Sequence, residues 1–280
     1  ITNLRIPNIV YVLLAGFIFR LFLANFGTLQ LDHGTFVAWG NSLTSGGFKN
    51  FYNGWSDYLP GYLYVLWILG KINLVLPFLQ TITFKLPAIF ADIATGYLIY
   101  KIIGNKKGII FSILYLFNPA IFANSTLWGQ VDSLTALFSL FAIYIFPKNY
   151  IFSAISLAVG TLIKPQAAFI FPAILYLFFT NKKKITDLMK YGIVGLLVFT
   201  AGFIPFNSIS NLFRFILERL TISSGQYPYG SINAFSFWGI FGFWKPDNIT
   251  FWVGLGASII LITIITIIIY RKKIVNGEYL

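Results

Sequence analysis

Polar stretches interrupt an otherwise apolar chain, and the first of them places a carboxylate beside aromatic rings. Asp32 follows the first apolar run in LDHGTFVAWG, where a carboxylate can serve as a general base or as a metal ligand. Phe36 and Trp39 follow at i+4 and i+7, so carboxylate and rings share one helical face. The alternative role for Asp32 is the N-cap of a juxtamembrane helix. His33, the only histidine, is expected to be a solvated neighbour, because metal sites rarely rest on one His.

The second stretch, FYNGWSDYLPGYLY, combines an acid with several aromatic side chains. A Pro-Gly turn in its middle would present Asp57, Tyr58 and Tyr62 on a polar, aromatic lip. Such a lip can hold a sugar ring or a lipid headgroup. An ordinary interfacial belt of Tyr and Trp is the alternative.

The third stretch, LWGQVDSL, lies between two long apolar runs and contains Gln130 and Asp132. A carboxylate at the start of a helix is favoured by the exposed N–H groups there, which is one explanation for Asp132. Ionisable groups at membrane depth usually face a polar cavity, however. We therefore predict that Gln130 and Asp132 line a site.

Three cations are predicted to form an anion receptor. Lys164 lies at a turn in GTLIKPQAAF, and Arg214 and Arg219 lie in a later polar region. Lysine offers a point charge and arginine a fork for phosphate oxygens. Two alternatives stay open: a plain surface ion pair between Arg219 and Glu218, and binding of anionic lipid headgroups.

The composition indicates the elements that must position these residues. The chain has 280 residues, of which 58% are hydrophobic and 10% charged, and its mean hydropathy is +0.79. Many segments approach the roughly 20 apolar residues that a membrane span needs. The predicted fold is therefore all-α, a polytopic membrane helical bundle. The net charge of +12 does not indicate nucleic acid, because the basic residues form short clusters at the ends of apolar segments. The absence of cysteine excludes disulfides and thiolate chemistry.

The basic clusters also predict a topology, since Lys and Arg favour the cytoplasmic side. We expect about eight transmembrane helices, both termini inside, and one domain over residues 1–280. The first outer loop, 27–83, would contain juxtamembrane helices, and 207–250 would form the last outer loop. Residues 60–78 are interpreted as an interfacial or re-entrant helix, because a crossing there would turn the later basic clusters outward. The predicted spans are 7–26, 84–103, 108–123, 131–147, 150–163, 166–180, 190–206 and 251–270.

Together these stretches carry a resemblance to a known family. The aspartate after the first span, YLPGY, NPAIFANSTLWGQVDS, KPQA and PYGSINAFSFW resemble the GT-C superfamily of membrane glycosyltransferases. Within it, the chain is similar to the prokaryotic polyprenyl-phosphate-mannose-dependent branch over about residues 7–245. WGQVDS together with KPQ is the more specific part of this resemblance.

The resemblance implies an inverting transfer of a sugar, mannose or a related hexose or pentose, from a polyprenyl-phosphate donor. The acceptor would be a glycan, lipid or protein on the outer side of the cell membrane. Asp32 matches the family's catalytic aspartate, proposed as the base that deprotonates the acceptor hydroxyl. Lys164 and the late-loop arginines match places where the donor phosphate is bound. Further cavity-lining residues are predicted to be Gln130, Asp132, Gln226, Tyr229 and Asn233.

Departures from the family pattern leave several points open. Many members have ten or more spans and a soluble C-terminal domain, so this chain is either a minimal member or lacks a C-terminal part. Metal dependence varies across the superfamily, so no cofactor is certain and a divalent cation stays open. A lipid-linked-sugar flippase or other transporter is the rival function, and a non-catalytic membrane scaffold is a third hypothesis.

Overall fold

The computed structural model describes residues 8–232, 237–247 and 249–271. Over these residues the chain is helical, and an isolated antiparallel β-bridge joins Tyr229 to Pro246. This confirms the predicted all-α class. The α-helices are α1 Asn8–Leu23, α2 Gln30–Phe51, α3 Pro60–Val75, α4 Gln80–Ile103, α5 Asn105–Leu116, α6 Pro119–Phe122, α7 Asp132–Ile145, α8 Tyr150–Ile163, α9 Phe171–Thr180, α10 Ile185–Ala201, α11 Leu212–Gly225 and α12 Thr250–Arg271.

The chain divides into two compact units, the first extending to Ile216 and the second beginning at Leu217. In the second unit, the N–H of Gly230 donates to the carbonyl of Lys245 at 3.1 Å, next to the isolated bridge. A short 3₁₀ segment, Phe237–Phe241, and α12 complete this unit's described part.

Helix length limits how many membrane spans the structure supports. Two apolar stretches, Pro77–Ile103 and Ile185–Phe206, are long enough to cross a bilayer. Asn105–Leu116 and Pro119–Trp128, bent by 47°, form a third if they count as one broken span. The remaining apolar helices have 10–17 residues when α12 is counted over Thr250–Ile265, and a helix of 14 residues such as α7 is only about 21 Å long. Two to three membrane-capable helices are therefore supported, and the set of about eight is not confirmed.

Close main-chain contacts fix the position of α3 between α2 and α8. A Cβ built on Gly70 of α3 would clash with the carbonyl oxygen of Gly40 in α2. A Cβ on Gly61, at the other end of α3, would lie 2.5 Å from the carbonyl carbon of Leu162 in α8. The glycines thus let three helices approach backbone to backbone. This contact sets the spacing between α2, which begins near Asp32, and α8, which ends next to Lys164.

We expect Gly61→Ala to destabilise the fold by about 1–3 kcal/mol, because main-chain atoms of α8 cannot move aside without backbone shifts. Thermal unfolding in nanodiscs would measure the loss. Gly192→Ala in α10 is the matched control, since nothing lies within 4 Å of its built Cβ. The control should gain stability by up to about 1 kcal/mol because alanine is the better helix former. Equal unfolding temperatures for the two variants would contradict the close contact.

A buried ion pair joins α1 to α4. The Nε of Arg20 lies 3.1 Å from Oδ2 of Asp92, and both side chains are fully buried. Asp92 also accepts hydrogen bonds from Ser125 at 2.5 Å, Ser133 at 2.6 Å and Tyr115 at 3.1 Å. An acid inside an apolar helix is expected to face the bundle interior and to be hydrogen-bonded, and here Arg20 is in addition its charged partner. Two of its hydroxyl partners lie on the chain segment that leads from α6 into α7.

Candidate functional site

Asp32 lies in the first turn of α2, but it does not cap that helix. Leu29 occupies the N-cap position, and no side chain caps the helix start. Instead, Oδ2 of Asp32 accepts hydrogen bonds from Nε1 of Trp128 at 2.7 Å and from Nε2 of Gln130 at 2.6 Å. Among the described residues, no donor bonds to Oδ1. One carboxylate oxygen is therefore held in place, and the other is available to a ligand.

A π-helical turn orients the side chains of Trp128 and Gln130 toward the carboxylate of Asp32. Residues Ala123–Trp128 form a π-helical turn that ends at Gly129, whose φ of 90° is left-handed. Glycine adopts this conformation without the steric penalty of a side chain. The carbonyl of Asn124 accepts from the N–H groups of Gly129 and Gln130 at 3.1 and 3.0 Å. π-Helical turns occur frequently at functional sites, and here the turn re-aims two side chains toward α2.

Lys164 approaches the same place from the end of α8. Its backbone is extended, with φ −145° and ψ 131°, as the following Pro165 favours. Nζ of Lys164 lies 2.5 Å from Oδ1 of Asp132 and 3.4 Å from Oε1 of Gln130. Asn124 donates to the other oxygen of Asp132 at 3.2 Å. The amide of Gln130 thus links the carboxylate of Asp32 to the ammonium group of Lys164.

The aromatic lip contributes Tyr58 and Asp57 to these surroundings. Nζ of Lys164 lies 5.9 Å from the ring centroid of Tyr58, within the range of a cation–π contact. Burial raises the pKa of the Tyr58 hydroxyl, and neighbouring negative charges raise it further. Burial also raises the pKa of the Asp57 carboxyl, while Lys164 lowers it and Asp32 raises it. Both groups therefore respond to the charges of the site.

His33 differs from the expected solvated neighbour. Its Nε2 is buried and has no hydrogen-bond partner among the described residues, and its ring lies edge-on to Phe84 with the centroids 6.0 Å apart. Burial lowers the pKa of His33, and the positive charge of Lys85 lowers it further. These effects favour a neutral imidazole beside Asp32 at pH 7.

Other predicted site residues lie elsewhere. Tyr62 is fully buried and packs edge-on against Phe36 with the ring centroids 5.3 Å apart. It therefore belongs to the core between α2 and α3, not to an exposed lip, because the first turn of α3 points it inward. Arg214 is exposed near the start of α11.

The second unit holds the remaining predicted residues. Nη2 of Arg219 pairs with Oε1 of Glu218 at 2.7 Å, as in the ion-pair alternative. Tyr229 packs edge-on against Trp244 with the ring centroids 5.4 Å apart. Gln226 is partly buried. Asn233 lies outside the described residues.

Two features of this cluster escaped the sequence patterns. Trp128 was predicted only as part of a motif, yet it is a direct hydrogen-bond donor to Asp32. Lys85 is fully buried close to the site, and a charged residue inside an apolar helix was the signal that could have found it. No group of three or more His, Asp and Glu side chains that could hold a metal ion occurs in the described part of the chain.

The fold and this cluster define an all-helical chain with membrane-capable helices and a polar site between helix ends. Within the site, Asp32 can accept a proton and Lys164 can bind an anion. Comparisons with protein-family models, with curated proteins and with solved structures give no match.

Proposed function

We propose that this protein is a membrane glycosyltransferase of the GT-C type, which moves a sugar from a polyprenyl-phosphate donor to an acceptor. The observation that carries the proposal is the link from Asp32 through Gln130 to Lys164, with distances of 2.6 and 3.4 Å. It supports a proton acceptor and an anion receptor within the reach of one sugar phosphate. The resemblance of WGQVDS and KPQ to the superfamily supports the same chemistry.

Each end of this link has a chemical task. The phosphate leaving group gains negative charge as the glycosidic bond breaks, and Lys164 would stabilise that charge in a water-poor pocket. Asp32 would take the proton of the acceptor hydroxyl through its open oxygen Oδ1. Attack from the face of the sugar opposite the phosphate inverts the anomeric centre. Tyr58 and Trp128 would offer ring faces to the sugar.

The donor's physical form explains a site between apolar helices. A polyprenyl phosphate is mostly hydrocarbon with a charged head, so it reaches a protein sideways through the bilayer. We propose a multi-pass protein of the cell membrane with both termini cytoplasmic and the site on the exterior side. This orientation rests on the distribution of Lys and Arg.

The purified protein in nanodiscs, incubated with a panel of radiolabelled polyprenyl-phosphate sugars and with candidate glycan, lipid and protein acceptors, tests the function. Transfer of label to an acceptor, with inversion at the anomeric carbon, is expected for one donor. A flippase would instead move the labelled lipid between leaflets of a proteoliposome without forming product. Absence of transfer from every donor would contradict the proposal.

We expect Lys164→Glu to raise the KM for the donor by at least about tenfold, because it replaces the phosphate's charged partner with a repelling carboxylate. Asp132 would also lose its ion-pair partner. Initial rates against donor concentration would measure the change. Lys107→Glu, at an exposed basic position of α5, is the matched control for charge and should leave the donor KM within about twofold, because an exposed charge lies in high dielectric. An unchanged KM in Lys164→Glu would remove Lys164 from phosphate binding.

A further inference from the structure

A fully buried lysine lies beneath the site. Lys85 is in α4, and its side chain has no exposed surface. Its Nζ donates hydrogen bonds to the carbonyl of Ala24, at 2.9 Å, and to the carbonyl of Gly27. Among the described residues no carboxylate forms an ion pair with it. Lys85 is therefore a buried cation whose partners are main-chain oxygens.

Such a cation is costly to bury, so its partners indicate what it does. A lysine inside an apolar helix loses its hydration, and main-chain carbonyls compensate only part of that loss. The two carbonyls follow directly after the end of α1, where helix carbonyls lack intrahelical partners and a positive charge is favourable. Lys85 thus ties the chain that leaves α1 to α4.

The same side chain also touches the opposite half of the site. A Cβ built on Gly129 would lie 3.5 Å from Cγ of Lys85. Gly27, whose carbonyl Lys85 binds, lies against Leu127, since a Cβ built on Gly27 would be 3.8 Å from the Cβ of Leu127. One lysine therefore contacts both the chain that leads from α1 toward Asp32 and the turn whose Trp128 and Gln130 bond to Asp32.

We propose that Lys85 is a positioning residue, which holds residues 24–27 against the 127–130 turn and so fixes the hydrogen bonds of Asp32 to Trp128 and Gln130. Among the described residues, the hydrogen bonds of Lys85 go to Ala24 and Gly27 and not to Trp128 or Gln130. Lys85 acts through the main chain at Ala24, Gly27 and Gly129. The consequence for catalysis rests on the proposed function, whereas the consequence for geometry does not.

A cross-linking experiment tests the geometry without any assay of activity. The chain contains no cysteine, and the 3.8 Å separation at residues 27 and 127 suits a disulfide. The pair Gly27→Cys with Leu127→Cys is introduced into the full-length protein with Lys85, with Lys85→Met and with Lys85→Arg, and is oxidised under mild conditions in nanodiscs. We expect rapid cross-linking with Lys85, a rate lower by about tenfold with Met, which keeps the stem but has no donor, and partial recovery with Arg.

The control pair is Gly16→Cys with Leu116→Cys, where a Cβ built on Gly16 lies 3.6 Å from the Cβ of Leu116. It joins α1 to α5 and should cross-link equally in all three backgrounds. Equal rates for the 27–127 pair with Lys and with Met would overturn the proposal. A parallel loss of the control cross-link would overturn it as well, because Lys85 would then support the whole bundle and not this segment.

Steady-state kinetics of the proposed sugar transfer provide the second test of the role of Lys85. Lys85→Met should lower kcat by about 10- to 100-fold through misplacement of Asp32, with the donor KM within about twofold because Lys164 is untouched. An unchanged kcat would overturn the catalytic consequence. If no donor supports transfer by the unmodified protein, the proposed function fails while the cross-linking result stands.

Discussion

Asp32→Asn is expected to lower kcat for sugar transfer by about 10³-fold or more, in line with the loss of a general base. Asparagine has the shape of aspartate, and its amide oxygen can still accept the hydrogen bonds from Trp128 and Gln130. What it lacks is the ability to take a proton from the acceptor hydroxyl. The geometry of the site is thereby kept while its basicity is removed.

Two measurements separate this effect from misfolding. The affinity for a non-transferable polyprenyl phosphate, measured by titration, should stay within about threefold of that of the unmodified protein, since the donor phosphate is proposed to bind at Lys164. Asp187→Asn is the matched control. Asp187, in α10, accepts hydrogen bonds from the hydroxyl of Tyr150 and the N–H of Lys184, and its replacement should leave the transfer activity unchanged. Near-normal turnover by Asp32→Asn would remove Asp32 from the role of base.

The largest effect on stability is expected at Asp92. Asp92→Ala would leave the guanidinium of Arg20 buried without its counter-ion, which costs about 3–5 kcal/mol. Three hydroxyl donors, Ser125, Ser133 and Tyr115, would lose their acceptor at the same time. Reversible unfolding in bicelles, or thermal unfolding in nanodiscs, would measure the loss.

The double variant Arg20→Met with Asp92→Leu is the control for this prediction. Replacing a buried ion pair by apolar side chains of similar size is often neutral or stabilising. The double variant should therefore recover at least half of the stability that Asp92→Ala loses, with the unsatisfied hydroxyls accounting for the rest. Wild-type stability in Asp92→Ala would show that the ion pair is not needed for the fold.

The sequence was sufficient to predict the helical class and to single out four of the residues that meet in the cluster. The many apolar runs favour a helical bundle, and Asp32, Gln130, Asp132 and Lys164 each stood out as polar residues beside apolar runs. Their roles in catalysis and binding stay predictions. The number of membrane spans could not be predicted from the apolar runs, because an apolar run gives the length of a helix only if the helix continues through the whole run. Here turns and breaks, as at Asn118 before α6, end several helices short of a bilayer's thickness.

The partners of buried charges were also beyond the sequence. Arg20 and Lys85 stand out as cations within apolar helices, but the pairing of Arg20 with Asp92 spans 72 positions. Lys85 bonds to main-chain oxygens 58 and 61 positions away, and no residue type announces a main-chain partner. Local patterns report the character of each helix, whereas these contacts depend on which helices become neighbours.

The backbone contacts on both sides of α3 have a consequence for how the site tolerates change. Where glycine touches main chain at Gly40 and Gly70, and again at Gly61 and Leu162, the gap between helices cannot widen or narrow with the size of a side chain. The spacing between the backbone near Asp32 in α2 and the end of α8 at Lys164 is thus a property of the polypeptide scaffold. Under the proposed function, substitutions near Asp32 and Lys164 would alter which sugar fits, while the spacing of the helices that carry these two residues stays constant.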